Sequence, residues 1–230
     1  VTESAYKRHP DIAELLEQAH GTPTPEEGRR VFMRVVTDEV LAAMADSVTP
    51  QGIIAISFMV DTSFSVLWGE NALNPKLIAV LSRIQDPGNA GTILRVADAA
   101  GADLVITTKG SVDLYNPKTV RSTAGSLFHV PFVTGVTAAE LAGFGQKEGL
   151  QFLATACDAG AETHFSADFR RGSIVVFGNE ANGVSEEFLR VAAHIYIPMR
   201  GHAGSLNVSA AATALLYEAL RQRMAKVRHG

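Results

Sequence analysis

The chain has 230 residues, 47% of them hydrophobic, with 20 Lys and Arg against 24 Asp and Glu for a net charge of −4. That length holds one medium domain or one and a fraction, and the composition excludes a disordered protein. No apolar run reaches the roughly 18 residues of a membrane span, so no membrane is expected as a partner. The single Cys157 excludes an intramolecular disulfide and a Cys-rich zinc site.

Val1-Thr-Glu-Ser-Ala-Tyr-Lys7 has no apolar signal core. A cytoplasmic protein is expected, read here from within a longer chain. Asp11–His20 is an amphipathic helix stopped by Gly21 and Pro23. Val31-Phe-Met-Arg-Val-Val36 has strand composition. Thr37 caps a second helix through Ala45, whose first turn is acidic. Gly52-Ile-Ile-Ala-Ile-Ser57 reads as a buried strand. Residues 1–60 therefore form a small α/β unit whose core is thin enough to suggest that it is incomplete. Residues 61–75 read as a linker, with Trp68 either packed on the neighbouring domain or serving as a surface anchor.

From residue 76 strands alternate with helices. The strands are Leu77–Leu81, Asp103–Thr107, Val130–Thr134, Gln151–Ala156, Ser173–Phe177 and His194–Pro198; helices fill 90–100, about 116–126, 138–148, 185–193 and 207–225. Continuous apolar strands between helices imply a mostly parallel sheet covered on both faces. Ligands of such sheets sit beyond the carboxyl ends of the strands.

Three loops follow strands in this way. Ser82-Arg-Ile-Gln-Asp-Pro-Gly-Asn-Ala-Gly91 offers a Pro87–Gly88 turn, Asn89 as a helix cap and Gly91 for close backbone approach, with Arg95 one and a half turns into the helix. Arg95 either reaches back over the loop or is a solvated charge. The spacing fits neither a dinucleotide fingerprint nor a P-loop. The second loop is Phe177-Gly-Asn-Glu-Ala-Asn-Gly183, where Glu180 at the end of a buried strand needs a partner. The third is Ile197-Pro-Met-Arg-Gly-His-Ala-Gly-Ser-Leu-Asn-Val-Ser209, which opens an Ala-rich helix with Val208, Ala212, Leu215, Leu216 and Leu220 at helical spacing. His202 in it reads as an exposed loop histidine; no other His or Cys is spaced to build a metal site with it, and no metal is expected.

These loops, in this order, resemble the three motifs of the SpoU (TrmH-like) family of RNA 2′-O-ribose methyltransferases in the SPOUT superfamily. The resemblance covers about 76–225. It implies a C-terminal trefoil knot, a homodimer, and S-adenosylmethionine as cofactor. On the matching positions, Thr155, Ala156, Gly178, Asn179, Gly183, Ile197, Met199 and Leu206 would hold the cofactor. Arg95 takes the catalytic role, with Asn89, Glu180, Ser205 and Asn207 around it. Residues 1–60 are similar to the ribosomal-protein-like RNA-binding domain of many members, and 76–230 is then the knotted methyltransferase domain. The substrate implied is structured RNA, ribosomal RNA ahead of transfer RNA; the alternatives are a tRNA 2′-O-methyltransferase and a non-catalytic RNA-binding module that keeps the knot fold.

Charge alone is neutral on this point. Residues 1–70 hold 5 Lys and Arg against 11 Asp and Glu, residues 71–230 hold 15 against 13, and the last helix ends in Arg221, Arg223, Lys226 and Arg228. A nucleic-acid surface usually carries a stronger basic footprint. The RNA is then met through a few placed cations, or through a surface that two subunits share.

Overall fold

Six of the apolar runs read from the sequence become strands because each finds a parallel neighbour for its backbone. In the computed structural model, which describes residues 1–21, 31–67, 73–156, 158, 160–179 and 181–225, the chain forms two compact units, Val1–Met59 and Val60–Gly230. Trp68, Cys157, Glu180, Lys226 and Arg228 lie outside the described residues.

The first unit holds helices α1 (Glu3–Arg8), α2 (Pro10–Gly21) and α3 (Asp38–Met44). Thr37 caps α3 as expected, its hydroxyl accepting from the Val40 amide at 3.3 Å. Thr2 does the same for α1, accepting from Ala5 N at 3.2 Å. The two expected strands do not form. Val36 makes one isolated bridge to Thr2, and 52–57 joins no ladder. β-branched composition suits a pleated surface, but a strand also needs a neighbour for its N–H and C=O groups. No described segment of this unit supplies one. Phe32 is 72% exposed and Ile56 94%, only Gly52 of 52–57 is buried, and the unit is helical rather than α/β among its described residues.

The second unit is built on seven strands: β1 (Leu77–Ser82), β2 (Leu104–Thr108), β3 (Phe132–Val136), β4 (Gln151–Thr155), β5 (Glu162–Thr163), β6 (Ser173–Gly178) and β7 (Ala193–Tyr196). They lie in the order β3-β2-β1-β6-β4-β7-β5, and every pairing is parallel. β1 and β6 are buried along their whole length. The period of two divides their side chains between two cores. Leu77, Ala79, Leu81, Val175 and Phe177 face one core, and Ile78, Val80, Ile174 and Val176 the other.

Helices cover both faces: α4 (Pro87–Ala99), α5 (Pro117–Thr123), α6 (Ala138–Glu148), α7 (Glu186–Leu189) and α8 (Val208–Ala225). Ile93, Leu94, Ala97, Ala212, Leu215 and Ala219, from α4 and α8, fill the first core; Leu141, Phe144 and Phe188, from α6 and α7, fill the second.

Several expected boundaries move. β3 starts at Phe132 rather than Val130, since Pro131 has no N–H to give a ladder. The expected helix over 116–126 breaks at Ala124 (φ 49°) and Gly125 (φ 98°), and a 3₁₀ turn, Ser126–Phe128, follows. The expected helix over 185–193 shortens to α7, where the Ser185 side chain makes no cap hydrogen bond. Residues 60–67, in the stretch read as a linker, are fastened to the second unit. Tyr115 Oη accepts from Val60 N at 2.7 Å and Asp61 N at 2.8 Å, Thr62 N donates to Phe132 O at 2.9 Å, and Leu67 is buried.

Register fixes where function collects. Ser82 lies opposite Gly178, and Thr155 opposite Ile195. The chain therefore leaves β1, β6, β4 and β7 at the same edge of the sheet, and all three loops singled out in the sequence open there.

Candidate active site

The first loop turns into α4 three residues earlier than the sequence suggests. Pro87 is the first helical residue, where its missing N–H costs nothing. The cap is Asp86, not Asn89: its carboxylate accepts from Asn89 N at 2.8 Å. That amide bond holds the Asp86 carboxyl below the usual carboxylate range. Lys118 Nζ, 3.2 Å from the same carboxylate, adds to the effect. An Asp directly before a helix-starting Pro carries this information in sequence. Gly91 serves packing between helices. A Cβ there would lie 1.9 Å from Ser122 Oγ and 2.5 Å from the Thr119 carbonyl oxygen of α5.

Relieved of capping, the Asn89 side chain turns to the third loop. Its Oδ1 accepts from Asn207 Nδ2 at 3.0 Å. Asn207 in turn caps α8. Its Oδ1 accepts from Ser209 N at 2.8 Å and from Ser209 Oγ at 2.6 Å. One asparagine thus starts α8 and pins it to the start of α4.

The second loop is closed by a two-way backbone pair, Asn179 N to Gly183 O at 2.9 Å and Gly183 N to Asn179 O at 2.8 Å. Gly183 takes a φ of 68°, a left-handed conformation that suits glycine. Gly178 is required for a different reason. A Cβ on it would meet Gly183 C and Val184 N at 2.2 Å, so the loop folds back against bare backbone. The Asn179 side chain works in both directions, Oδ1 accepting from Ala181 N at 2.9 Å and Nδ2 donating to Arg83 O at 2.8 Å. Loops one and two are joined there, as loops one and three are through Asn89.

Between the second and third loops and the end of β4 lies a cavity of about 490 Å³. Its lining includes all eight residues read as cofactor-binding: Thr155, Ala156, Gly178, Asn179, Gly183, Ile197, Met199 and Leu206. Ser205 and Asn207 also line it. Ile195, Tyr196, Gly204, Val208 and Ala211 do so too, and these the sequence reading missed. The volume is in the range of small-molecule sites, and the wall is mostly apolar with backbone and a few hydroxyl and amide groups. Among the described residues, no Lys or Arg lines it. Asn89 stands behind Asn207, outside the lining. Arg95 is exposed on α4, outside the lining as well, and its guanidinium makes no hydrogen bond or ion pair among the described residues. His202 is exposed, as expected. A second cavity of about 490 Å³, bordered by Gln151, Asp168, Arg171 and His194, contains no residue of the three loops. Among the described residues no three His, Cys, Asp or Glu side chains cluster as a metal site, and no helix is long and apolar enough to cross a membrane.

The sequence profile described as the SpoU rRNA methylase family matches residues 76–217, which include all three loops. The chain belongs to the SpoU rRNA methylase family. Among its relatives is the 23S rRNA guanosine 2′-O-methyltransferase RlmP of Bacillus subtilis, 33% identical over 84% of this chain and 73% of that protein. An S-adenosylmethionine-bound rRNA methyltransferase of Sinorhizobium meliloti shares the fold at a TM-score of 0.71, with 29% identity over 92% of this chain and 77% of that one. The SpoU methyltransferase AviRb of Streptomyces viridochromogenes, solved with the same cofactor, gives a TM-score of 0.60 and 36% identity, over 65% of this chain and 61% of its own. As a SpoU chain, this protein gathers the three loops within its family match at one edge of the sheet and ties them together through Asn89 and Asn179.

Proposed function

We propose that this chain is an RNA methyltransferase that moves a methyl group from S-adenosylmethionine to a ribose 2′-hydroxyl of ribosomal RNA. The observation that carries this reading is the cavity formed by the second and third loops and the end of β4, at the carboxyl edge of a parallel sheet. The residues fit the cofactor. Gly178, Gly183 and Gly204 offer backbone without side-chain bulk, Ile197 and Leu206 give apolar walls for an adenine, and among the described residues no cation lines the cavity to repel a sulfonium. When bound, the cofactor supplies an electrophilic methyl group.

The chain's own residues have two tasks, to align the hydroxyl and to manage its proton. Ser205 and Asn207 on the cavity wall hydrogen-bond the ribose. Asn89 acts through Asn207, holding its amide in place. Arg95 binds the phosphate beside the target ribose and orients the hydroxyl; a guanidinium holds its proton too firmly to act as a base, so that phosphate takes the proton. Glu180, in the second family motif, organises that loop. Because Arg95 stands outside the cavity lining, the reading includes a homodimer, in which the site is completed near the subunit interface. It also includes the family's trefoil knot around α8, residues 1–60 as the RNA-binding unit, residues 76–230 as the methyltransferase domain, and a cytoplasmic location. The relatives named as acting on 23S rRNA favour ribosomal over transfer RNA.

Isothermal titration with S-adenosylmethionine, together with mapping of 2′-O-methylation in rRNA from a deletion strain, tests the assignment. Heat of binding and one rRNA ribose that loses its methyl group are expected. Absence of heat at millimolar cofactor, or an unchanged rRNA map, would sink it. Arg95→Ala and Arg95→Lys should each abolish transfer with cofactor affinity nearly intact; near-normal turnover by either removes Arg95 from the mechanism. A stable monomer in light scattering at micromolar concentration removes the dimer.

A further inference from the structure

One residue beside the site has a backbone that its side chain does not favour. Arg83, the first residue after β1, takes a φ of 56°. That is the left-handed region, where glycine rests freely and other L-residues are strained. The conformation is imposed from both sides. Arg83 N donates to Thr108 Oγ1 at 3.0 Å, and Arg83 O accepts from Asn179 Nδ2 at 2.8 Å. The next residue, Ile84, is fully buried, and its carbonyl accepts from Val112 N at 2.8 Å. The β2 loop and the second motif loop therefore clamp this turn, and nothing in that clamp uses the arginine side chain.

The side chain is exposed, and its guanidinium makes no hydrogen bond or ion pair among the described residues. Its stem runs beside Gly110, where an added Cβ would lie 3.9 Å from Arg83 Cγ. The residue is thus a rigidly mounted cation on the rim of the sheet. It stands one hydrogen bond from Asn179, which lines the cavity. A glycine would close the same turn without strain, so the arginine has no conformational reason to be there. Strain retained at the edge of a site points to use of the strained residue. A planar guanidinium presented to solvent on a fixed backbone suits one partner above others here, a phosphodiester oxygen of a nucleic-acid strand.

We propose that Arg83 is a substrate-positioning residue that grips a phosphate of the RNA strand lying across the carboxyl edge of β1 and β2. This rests on the RNA methyltransferase reading above. It also gives Asn179 a second task. The side chain that shapes the cavity wall sets the backbone from which the RNA is held, so the methyl donor and its acceptor share one fixed reference.

The test compares the full-length wild type with Arg83→Gly and Arg83→Lys, on rRNA extracted from a strain that lacks the enzyme. Arg83→Gly should keep or raise Tm, since it relieves the left-handed strain, and should leave S-adenosylmethionine affinity unchanged by titration. Its KM for RNA should rise about five- to tenfold with kcat within about twofold. The salt dependence of RNA affinity should weaken by about 0.7–1 in log–log slope, as one phosphate contact is lost. Arg83→Lys should keep most of that slope. Unchanged KM and salt slope in Arg83→Gly, beside an active wild type, overturn the proposal. So does a fall in Tm or cofactor affinity, which would make Arg83 structural. A wild type that binds no cofactor and methylates no rRNA instead brings down the methyltransferase reading itself, and this inference with it.

Discussion

Asn207 Nδ2 donates to Asn89 Oδ1 at 3.0 Å, joining the residue that caps α8 to the first turn of α4. Because Asn207 also caps, its two amide atoms do separate work, and the two substitutions at this pair should differ. Asn207→Ala loses the cap and the link and should cost about 1–2 kcal/mol. Asn89→Ala loses the link but leaves the α8 cap, so it should cost less, about 0.5–1 kcal/mol. Urea denaturation of both single variants and the double variant should show a coupling of at least about 0.5 kcal/mol. Strict additivity would mean that the two loops are held independently.

Two glycines of the second loop should respond differently to one added methyl group. At Gly178 the new Cβ meets main-chain atoms at 2.2 Å, which only a shift of the loop relieves. Gly178→Ala should cost roughly 2–3 kcal/mol and abolish cofactor binding. At Gly183 nothing lies within 4 Å, and only the φ of +68° opposes a side chain. Gly183→Ala should therefore cost about 1–2 kcal/mol. Equal losses at the two positions in denaturation, with equal loss of cofactor heat, would contradict the geometry.

His194 in β7 is placed between two acceptors, the Leu189 carbonyl at Nε2 (2.9 Å) and the Asp158 carboxylate at Nδ1. Chiefly through the Leu189 carbonyl, and then through Asp158, its pKa is raised above the ordinary imidazole value of 6.5, against the opposing effect of burial. A raised folded-state pKa means that the stabilisation is complete below the unfolded-state value and is lost as pH rises through the folded-state value. Wild-type stability should therefore decline as pH rises from 6.5 through the raised folded-state value, and His194→Gln should remove that part of the decline. Urea midpoints across this window that fall equally in both proteins would exclude His194 as the source.

The sheet was legible because its strands are buried on both faces, which leaves continuous apolar runs in β1 and β6. β5 escaped notice since its two residues, Glu162 and Thr163, carry no pattern. The same criterion failed in the first unit: Val31–Val36 and Gly52–Ser57 have strand composition, but a ladder depends on a neighbour that no single run reveals. At the site, the loops declared themselves by their Gly, Asn and Pro content. What lay hidden was the division of labour among them. Asn89 and Asp86 are both good caps, and only the fold shows that Asp86 takes the cap while Asn89 reaches a residue 118 positions later. Arg83 was unread for a related reason, since a left-handed turn after a strand is normally announced by Gly or Asn.

The order of synthesis gives these long-range links a consequence in time. Arg83 waits for Asn179, 96 residues on, and Asn89 waits for Asn207, 118 residues on. At about 5–20 residues per second, the first of these intervals leaves β1 for on the order of 5 to 20 s with β2 on one side and an open edge where β6 will pair. The cavity lacks most of its wall until β6 and α8 have left the ribosome. A nascent chain therefore cannot be rescued early by a ligand of that cavity, and its exposed β1 edge is the stretch most in need of a chaperone while translation runs.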